Sequence, residues 1–111
     1  MMNLSNKIFN LIGLSKRAGR VAVGQDNVFL LIKNPSPMLV IVTDDVSQGV
    51  IRKVNTSIER NASKLLILNG ITRYDLGQVL GVNAAQIIAY PIDDSFAVKI
   101  LEENDRGGAN E

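Results

Sequence analysis

The chain has 111 residues, 46% of them hydrophobic and 21% charged, which is the size and balance of one globular domain with a single core. It contains no cysteine and no histidine, which excludes disulfides, the usual zinc and iron–sulfur sites and the commonest general base. A net charge of +1 excludes a histone-like mode of nucleic-acid binding, so such binding has to depend on a local basic patch. Candidate patches are Lys16, Arg17 and Arg20, or Arg52 and Lys53.

The N-terminal stretch has the character of neither a signal peptide nor a membrane span. Its apolar residues are interrupted by Asn, Ser and Lys, and no run of about 18 apolar residues occurs in the sequence. We therefore expect a cytoplasmic protein that has no membrane partner.

The first third of the chain predicts a helix, a short strand and a second helix. Apolar residues recur at helical spacing over residues 4–18, and Gly19 follows as a helix-ending residue. A short strand is predicted at residues 21–23 and a helix at residues 25–33. Two prolines prevent that helix from continuing, so residues 34–37 predict a turn.

Two uninterrupted apolar runs predict buried strands. The run at residues 38–43 is rich in β-branched residues, is too short for a helix and does not alternate, which indicates a central strand covered on both faces. The run at residues 64–68 predicts a second buried strand. Between the two, Ser47 is a suitable N-cap for a helix whose apolar residues recur at helical spacing.

The last third predicts another helix and strand before the C-terminal helix. Thr72 and Asp75 have the spacing of a capping box, with Asp in place of the preferred Glu. Gly81 ends the helix that they begin, and residues 86–90 form the last predicted strand.

A final helix, capped by Asp93 or Asp94, completes an alternation of helices and strands. That alternation predicts an α/β protein whose sheet lies between helical layers. We expect one domain over residues 1–103 and a flexible, polar, Gly-rich tail over residues 104–111.

Residues 24–27 (Gly-Gln-Asp-Asn) lie at a predicted strand-to-helix junction. A helix N-terminus presents free N–H groups and a partial positive charge, which suit a phosphate, and polar side chains there can reach a base edge. Asp and Asn are also favoured N-cap residues, so simple capping is the alternative explanation.

A pair of carboxylates, Asp44 and Asp45, follows Thr43 at the end of the central strand, where ligands of α/β proteins collect. Such a pair can hold magnesium in phosphoacceptor domains, but that site also needs a Lys after the last strand, where Tyr90 and Pro91 stand. The alternative is a solvated loop in which Asp45 helps to cap the next helix.

The loop at residues 81–85 consists of small and apolar residues around one Asn. Small residues allow a backbone to approach a ligand closely. An ordinary helix stop accounts for the same residues, so the loop by itself does not define a site.

Three stretches of the sequence, in register over residues 3–102, carry a family resemblance. They read LIGLSKRAGRVAVGQDNV, VIVTDDVSQGVIRKV and DLGQVLGVNAAQIIAYPIDDSFA, and the spacing between them agrees as well as the residues. They resemble the ribosomal protein L seven-Ae family of kink-turn RNA-binding proteins, and most closely its small bacterial branch, the YlxQ type.

The resemblance implies a three-layer α/β/α sandwich around a four-stranded mixed sheet. It implies a non-enzymatic protein without a cofactor, a metal or a small-molecule substrate. Its partner would be structured RNA, such as ribosomal RNA or another kink-turn with tandem sheared G·A pairs, and the ribosome is a possible setting. The RNA-binding residues implied are Arg20, Gly24, Gln25, Asp26, Asn27, Lys33, Asp45, Val82, Asn83 and Ala84.

The chemistry of these residues agrees with that role. Backbone amides at residues 24–27 suit phosphates, the side chains of Asp26 and Asn27 suit guanine edges, and Val82 can cover an unstacked base. Arg20 and Lys33 would position the RNA without reading its sequence.

This chain departs from the family pattern at two positions. Asp26-Asn27 stands where an Asn-Glu pair is usual, and Leu30 stands where the family has a Lys. Losing one phosphate-facing cation weakens binding and flattens its salt dependence by about one unit of log slope. A second hypothesis is therefore a protein-interaction module on the same fold, with an exposed Phe29-Leu30 patch.

Overall fold

The computed structural model describes residues 4–33 and 36–109. The described elements alternate helix and strand in the predicted order. Their bounds are α1 (Leu4–Arg17), β1 (Ala22–Val23), α2 (Gln25–Ile32), β2 (Met38–Thr43), α3 (Gln48–Asn61), β3 (Lys64–Leu68), α4 (Arg73–Leu80), β4 (Ile87–Pro91) and α5 (Ser95–Ala109). Residues 34 and 35 of the predicted turn lie outside the described residues. No described helix is long and apolar enough to cross a membrane.

The four strands form one mixed sheet in the order β1-β4-β2-β3. β2 pairs with β3 in parallel, whereas β4 runs antiparallel to both β2 and β1. All six residues of β2 are buried, as its unbroken apolar run predicted. The central position of β2, between two strands and two helical layers, accounts for that burial.

Helices cover both faces of the sheet, which confirms the three-layer α/β/α sandwich. Leu39 and Ile41 of β2 pack into a core with residues of α1, α4 and α5. Val40 and Val42, which point to the other face because strand side chains alternate, pack into a second core with residues of α2 and α3. Each face of β2 therefore anchors one helical layer.

The helix starts follow the predicted capping chemistry. The Ser47 hydroxyl accepts a hydrogen bond from the Val50 N–H at 3.3 Å. Thr72 and Asp75 form the complete capping box at the start of α4. At the start of α5 the Asp94 carboxylate accepts from the Phe96 N–H at 2.8 Å, so Asp94 rather than Asp93 is the cap.

Strand β3 differs from its prediction as a buried strand. It pairs only with β2 and lies at the edge of the sheet, so Lys64 and Ile67 are exposed while Leu66 and Leu68 are buried. The hydrophobicity of the run does not distinguish an edge strand from a central one.

Helix α5 also differs from the prediction, because it continues to Ala109 through residues assigned to a flexible tail. The sequence favoured an earlier end since each glycine lowers helix stability by about 1 kcal/mol, and residues 107 and 108 are both Gly. Regular helical structure therefore extends past residue 103, and the domain boundary expected at that residue stays a prediction. The flexibility of this segment stays a prediction.

Candidate nucleic-acid interface

Three chain segments meet at one end of the sheet. The Gly24 N–H donates to the carbonyl of Ile87 at 3.0 Å, and the Thr43 N–H donates to the carbonyl of Gln86 at 3.0 Å. The Ser47 N–H donates to the side-chain oxygen of Gln86 at 2.8 Å. The start of α2, the loop after β2 and the loop before β4 are thereby held together. We call this region the sheet-end site, and its predicted members are Gln25, Asp26, Asn27, Asp45, Val82, Asn83 and Ala84.

The N-terminus of α2 is open to solvent. Its N-cap, Gly24, has φ +90° and ψ 157°, a conformation that L side chains rarely adopt, and it offers no side chain to cap the helix. Residues 25–27 are exposed, and their N–H groups have no acceptor within the described part of the chain. Three donors with the positive end of the helix dipole therefore face outward.

The side chain of Asn27 is oriented by a hydrogen bond to the backbone of β1. Its Nδ2 donates to the carbonyl of Val23 at 2.9 Å, which links α2 to β1. One N–H and the side-chain oxygen remain available for a ligand. Neither Asp26 nor Asn27 caps α2 with its side chain, so simple capping does not explain these residues.

The loop before β4 is fixed against α4. The Val82 N–H donates to the carbonyl of Gly77 at 2.9 Å, and the Ala85 N–H donates to the carbonyl of Arg73 at 3.0 Å. The approach is so close that a Cβ on Gly77 would lie 2.8–2.9 Å from backbone atoms of Val82 and Ala84. The loop is thus rigidly placed while the Val82 side chain stays 41% exposed.

Asp45 is engaged within the fold. Its carboxylate accepts hydrogen bonds from the Thr43 hydroxyl at 2.8 Å and from the Arg73 backbone N–H and Nε at 2.9 and 3.2 Å. The Thr43 hydroxyl, and after it the Arg73 interactions, hold the pKa of Asp45 below its usual value, against partial burial, which raises it. Asp45 therefore joins the loop after β2 to the start of α4, and acts on the site by positioning it.

The neighbouring carboxylate, that of Asp44, also has a partner within the fold. It accepts a hydrogen bond from the Gly70 N–H at 2.9 Å. Within the described residues no three or more acidic, His or Cys side chains are grouped as a metal site requires. The structural partners of both aspartates favour the loop interpretation over a phosphoacceptor site.

Two predicted RNA-positioning residues lie away from the sheet-end site. Arg20 lies beyond the opposite end of β1 from Gly24 and forms an ion pair with the nearly buried carboxylate of Asp94, Nη2 to Oδ2 at 2.5 Å. Lys33 is the C-cap of α2, one helix length from Gln25. The sequence positions of Arg20 and Lys33 do not predict these locations, because the pairing of the strands decides where the ends of β1 and α2 lie.

Sequence reasoning missed two residues that build the site. Gln86 was assigned to the last strand, but β4 begins at Ile87 and Gln86 instead links two loops. Gly77 lies inside α4, where a helical glycine is unfavourable. That cost was the available signal that another backbone approaches closely at this position.

Comparisons with known proteins agree with this architecture. No protein-family model matches the chain. The chain is 33% identical over 93 residues to the RNA-binding protein YlxQ of Bacillus subtilis, which covers 84% of this chain and 90% of the relative. A solved structure of a protein with unknown function from Bacillus halodurans matches with a TM-score of 0.78 and 23% identity, covering 89% of this chain and 97% of the other. The 15.5kD RNA binding protein of Giardia lamblia matches with a TM-score of 0.74 and 15% identity, covering 96% and 88%.

The sandwich and the sheet-end site define a class of small α/β/α proteins with an uncapped helix N-terminus beside a rigid loop. The two solved structures show that other proteins share this fold. The similarity to YlxQ over most of both chains identifies the family. The chain belongs to the ribosomal protein L seven-Ae family, in its YlxQ-type branch, as the three sequence stretches indicated.

Proposed function

We propose that this protein is a non-catalytic, cytoplasmic RNA-binding protein that recognises kink-turn RNA, in ribosomal RNA or another structured RNA, through the sheet-end site. The observation that carries the proposal is the Gly24–Ile87 hydrogen bond, which holds the open N-terminus of α2 beside the loop before β4. A relative with 33% identity is named as an RNA-binding protein, which supports RNA as the partner.

The site offers a chemically complementary set of groups for a bent RNA strand. Outward N–H groups at the start of α2 suit a phosphate, because they meet its charge with three donors and a helix dipole. The carboxylate of Asp26 can accept from the N–H groups of a guanine edge, and the side-chain oxygen of Asn27 is a second acceptor. The exposed Val82 side chain can pack against a base that leaves the stack.

A gel-shift comparison tests this proposal. The protein is titrated against a kink-turn RNA and against the same RNA with the tandem G·A pairs replaced by Watson–Crick pairs. We expect micromolar or tighter binding to the first RNA, weaker binding to the second, and an affinity that falls as salt rises. Equal affinity for the two RNAs would remove the kink-turn specificity, and absence of binding to both would remove RNA binding.

One observation favours a protein-interaction module as a second candidate. Leu30 is 65% exposed on α2, where the family has a Lys. Phe29 is only partly exposed and lies on the side of α2 that faces α3, so the two residues do not form the contiguous patch that was expected. Leu30→Lys distinguishes the candidates, because it strengthens kink-turn binding if RNA is the ligand and leaves it unchanged if RNA binding is lost.

A further inference from the structure

A second surface feature, a groove between α2 and α3, is strongly basic. It has a volume of about 560 Å³ and contains four cationic side chains, namely Lys33, Arg52, Lys53 and Arg60. These are four of the 12 Lys and Arg residues in a chain of net charge +1, so the rest of the chain sums to −3. Positive charge is therefore concentrated in this groove.

The four cations are not neutralised by the fold. No acidic side chain is among the groove's described lining residues, and the ion pairs between described residues involve other cations. Lys53 lies over the ring of Phe29, with Nζ 5.0 Å from the ring centroid, which holds its ammonium group at the groove. Unpaired cations collected on one concave surface favour a polyanionic ligand.

The charged side chains that line the groove are all cationic. The hydroxyls of Thr56 and Ser57 donate to the carbonyls of Arg52 and Lys53, each at 3.1 Å, so their protons are used within α3. The aromatic lining residue, Phe29, has a ring face covered by Lys53. The groove presents apolar as well as charged surface, and because all of its charge is positive it suits a phosphate backbone.

The groove continues from the sheet-end site. A smaller hollow of about 270 Å³ begins at Gln25 and Ser47 and shares Phe29, Gly49 and Lys53 with the groove. From Arg52 to Arg60 the groove follows α3 for about 12 Å, at 1.5 Å per helical residue. Each strand of a duplex carries a phosphate every few ångströms along its axis, so this length meets several phosphates.

We infer that the groove binds the phosphate backbone of a helical RNA stem that leaves the bend held at the sheet-end site. This inference rests on the proposed function for its geometry, and it adds a sequence-independent contact beyond the bend. Double-stranded RNA is recognised mainly through its shape, phosphates and 2′-hydroxyls, which agrees with a groove whose charged side chains are all cationic.

The test uses the double variant Arg52→Gln, Arg60→Gln and the matched control Arg17→Gln, Lys99→Gln, whose cations lie on the opposite helical layer. Each protein is titrated with a kink-turn RNA carrying one long flanking stem, with the same RNA carrying a shortened stem, and with a plain RNA duplex. We expect the long stem to raise the affinity of the wild type and the control. The groove variant is expected to lose that gain, to bind the plain duplex roughly tenfold more weakly, and to show a salt slope smaller by about two units.

The experiments distinguish failure of the kink-turn assignment from failure of the groove proposal. In the gel-shift comparison described above, one outcome is that the wild type binds RNAs with and without the G·A pairs equally well. If the groove variant still weakens duplex binding in that case, the kink-turn assignment is overturned and the groove proposal is kept. Equal affinities of the groove variant and the control for every RNA overturn the groove proposal and leave the kink-turn site. A polyglutamate peptide that binds the groove more tightly than the duplex at the same ionic strength also overturns it, in favour of an acidic protein partner.

Discussion

The side-chain oxygen of Gln86 accepts a hydrogen bond from the Ser47 N–H at 2.8 Å, across 39 residues of sequence. The backbone carbonyl of Gln86 accepts from the Thr43 N–H at 3.0 Å, so one residue joins the loop after β2 to the loop before β4. The relative position of these loops therefore depends on one half-buried polar side chain.

Gln86→Ala is expected to loosen the sheet-end site more than it destabilises the fold. A partly solvated hydrogen bond of this kind contributes about 0.5–1.5 kcal/mol to the free energy of unfolding. Urea unfolding should show a loss in that range, and the Ser47 amide should exchange faster with solvent. Gln78→Ala, an exposed change on α4, is the control. A Ser47 amide that exchanges at the wild-type rate would contradict the role assigned to Gln86.

Gly77→Ala is expected to displace the loop before β4. The new Cβ would lie 2.8–2.9 Å from backbone atoms of Val82 and Ala84, which cannot move independently of the loop. We expect a loss of about 1–3 kcal/mol in the free energy of unfolding, together with weaker RNA binding. The matched control is Gly13→Ala in α1, whose Cβ would meet only a side-chain atom of Val79 at 3.6 Å. If both variants unfold at the same urea concentration, the packing role of Gly77 is wrong.

The Asp45 carboxylate makes stability depend on pH in the acid range. Its folded pKa is lowered, first by the Thr43 hydroxyl and then by Arg73, so its contribution is present above the unfolded value near 3.8. That contribution is lost as the pH falls through the lower folded pKa. In urea titrations from neutral to strongly acidic pH, Asp45→Asn should be less stable than the wild type at neutral pH and should approach it in acid. Asp93→Asn, in the exposed turn after β4, is the control for removing one surface carboxylate.

The buried hydroxyl of Tyr90 is expected to ionise only in strong alkali. Burial, and secondarily the Asp94 carboxylate, raise the pKa of Tyr90 to about 12. The chain has two tyrosines, so ultraviolet titration of Tyr74→Phe reports Tyr90 alone. The stability gained from the neutral phenol is complete below the unfolded value of 10.0 and is lost as the pH rises through about 12. Ionisation near 10 in the folded protein would show that the hydroxyl reaches solvent.

Tyr90→Phe measures the hydrogen bond of that hydroxyl. Ser15 donates its proton to the carbonyl of Ile12 at 2.7 Å, so at the 2.7 Å contact between the two hydroxyls Tyr90 is the donor. Removing the donor leaves Ser15 with its own bond intact, and we expect a loss of about 0.5–1.5 kcal/mol in the free energy of unfolding. Thermal unfolding with Tyr74→Phe as the control checks this, and an equal effect of the two changes would contradict it.

Local chemistry was sufficient to predict most of the fold. The unbroken run at β2 indicated burial on both faces, and Ser47 and Thr72 marked helix starts that the structure confirms. The exposure of Lys64 and Ile67 was not predictable, since an apolar run does not reveal that β3 lies at the edge of the sheet.

The candidate site was predictable in part. The residues at the start of α2 and the loop before β4 were singled out for their types, and the Gly24–Ile87 hydrogen bond joins the start of α2 to the strand that follows that loop. The ion pair of Arg20 with Asp94 was not predictable, because it depends on how β1 pairs with β4.

The sequence by itself determined which helices and strands form and in what order, because periodicity, caps and glycines act over a few residues. The tertiary structure alone decided the strand order, and with it the hydrogen bond from Gly24 to Ile87 and the ion pair of Arg20 with Asp94. The physical reason is that pairing between distant strands is selected by the burial of whole faces. No local pattern around a single residue encodes that choice.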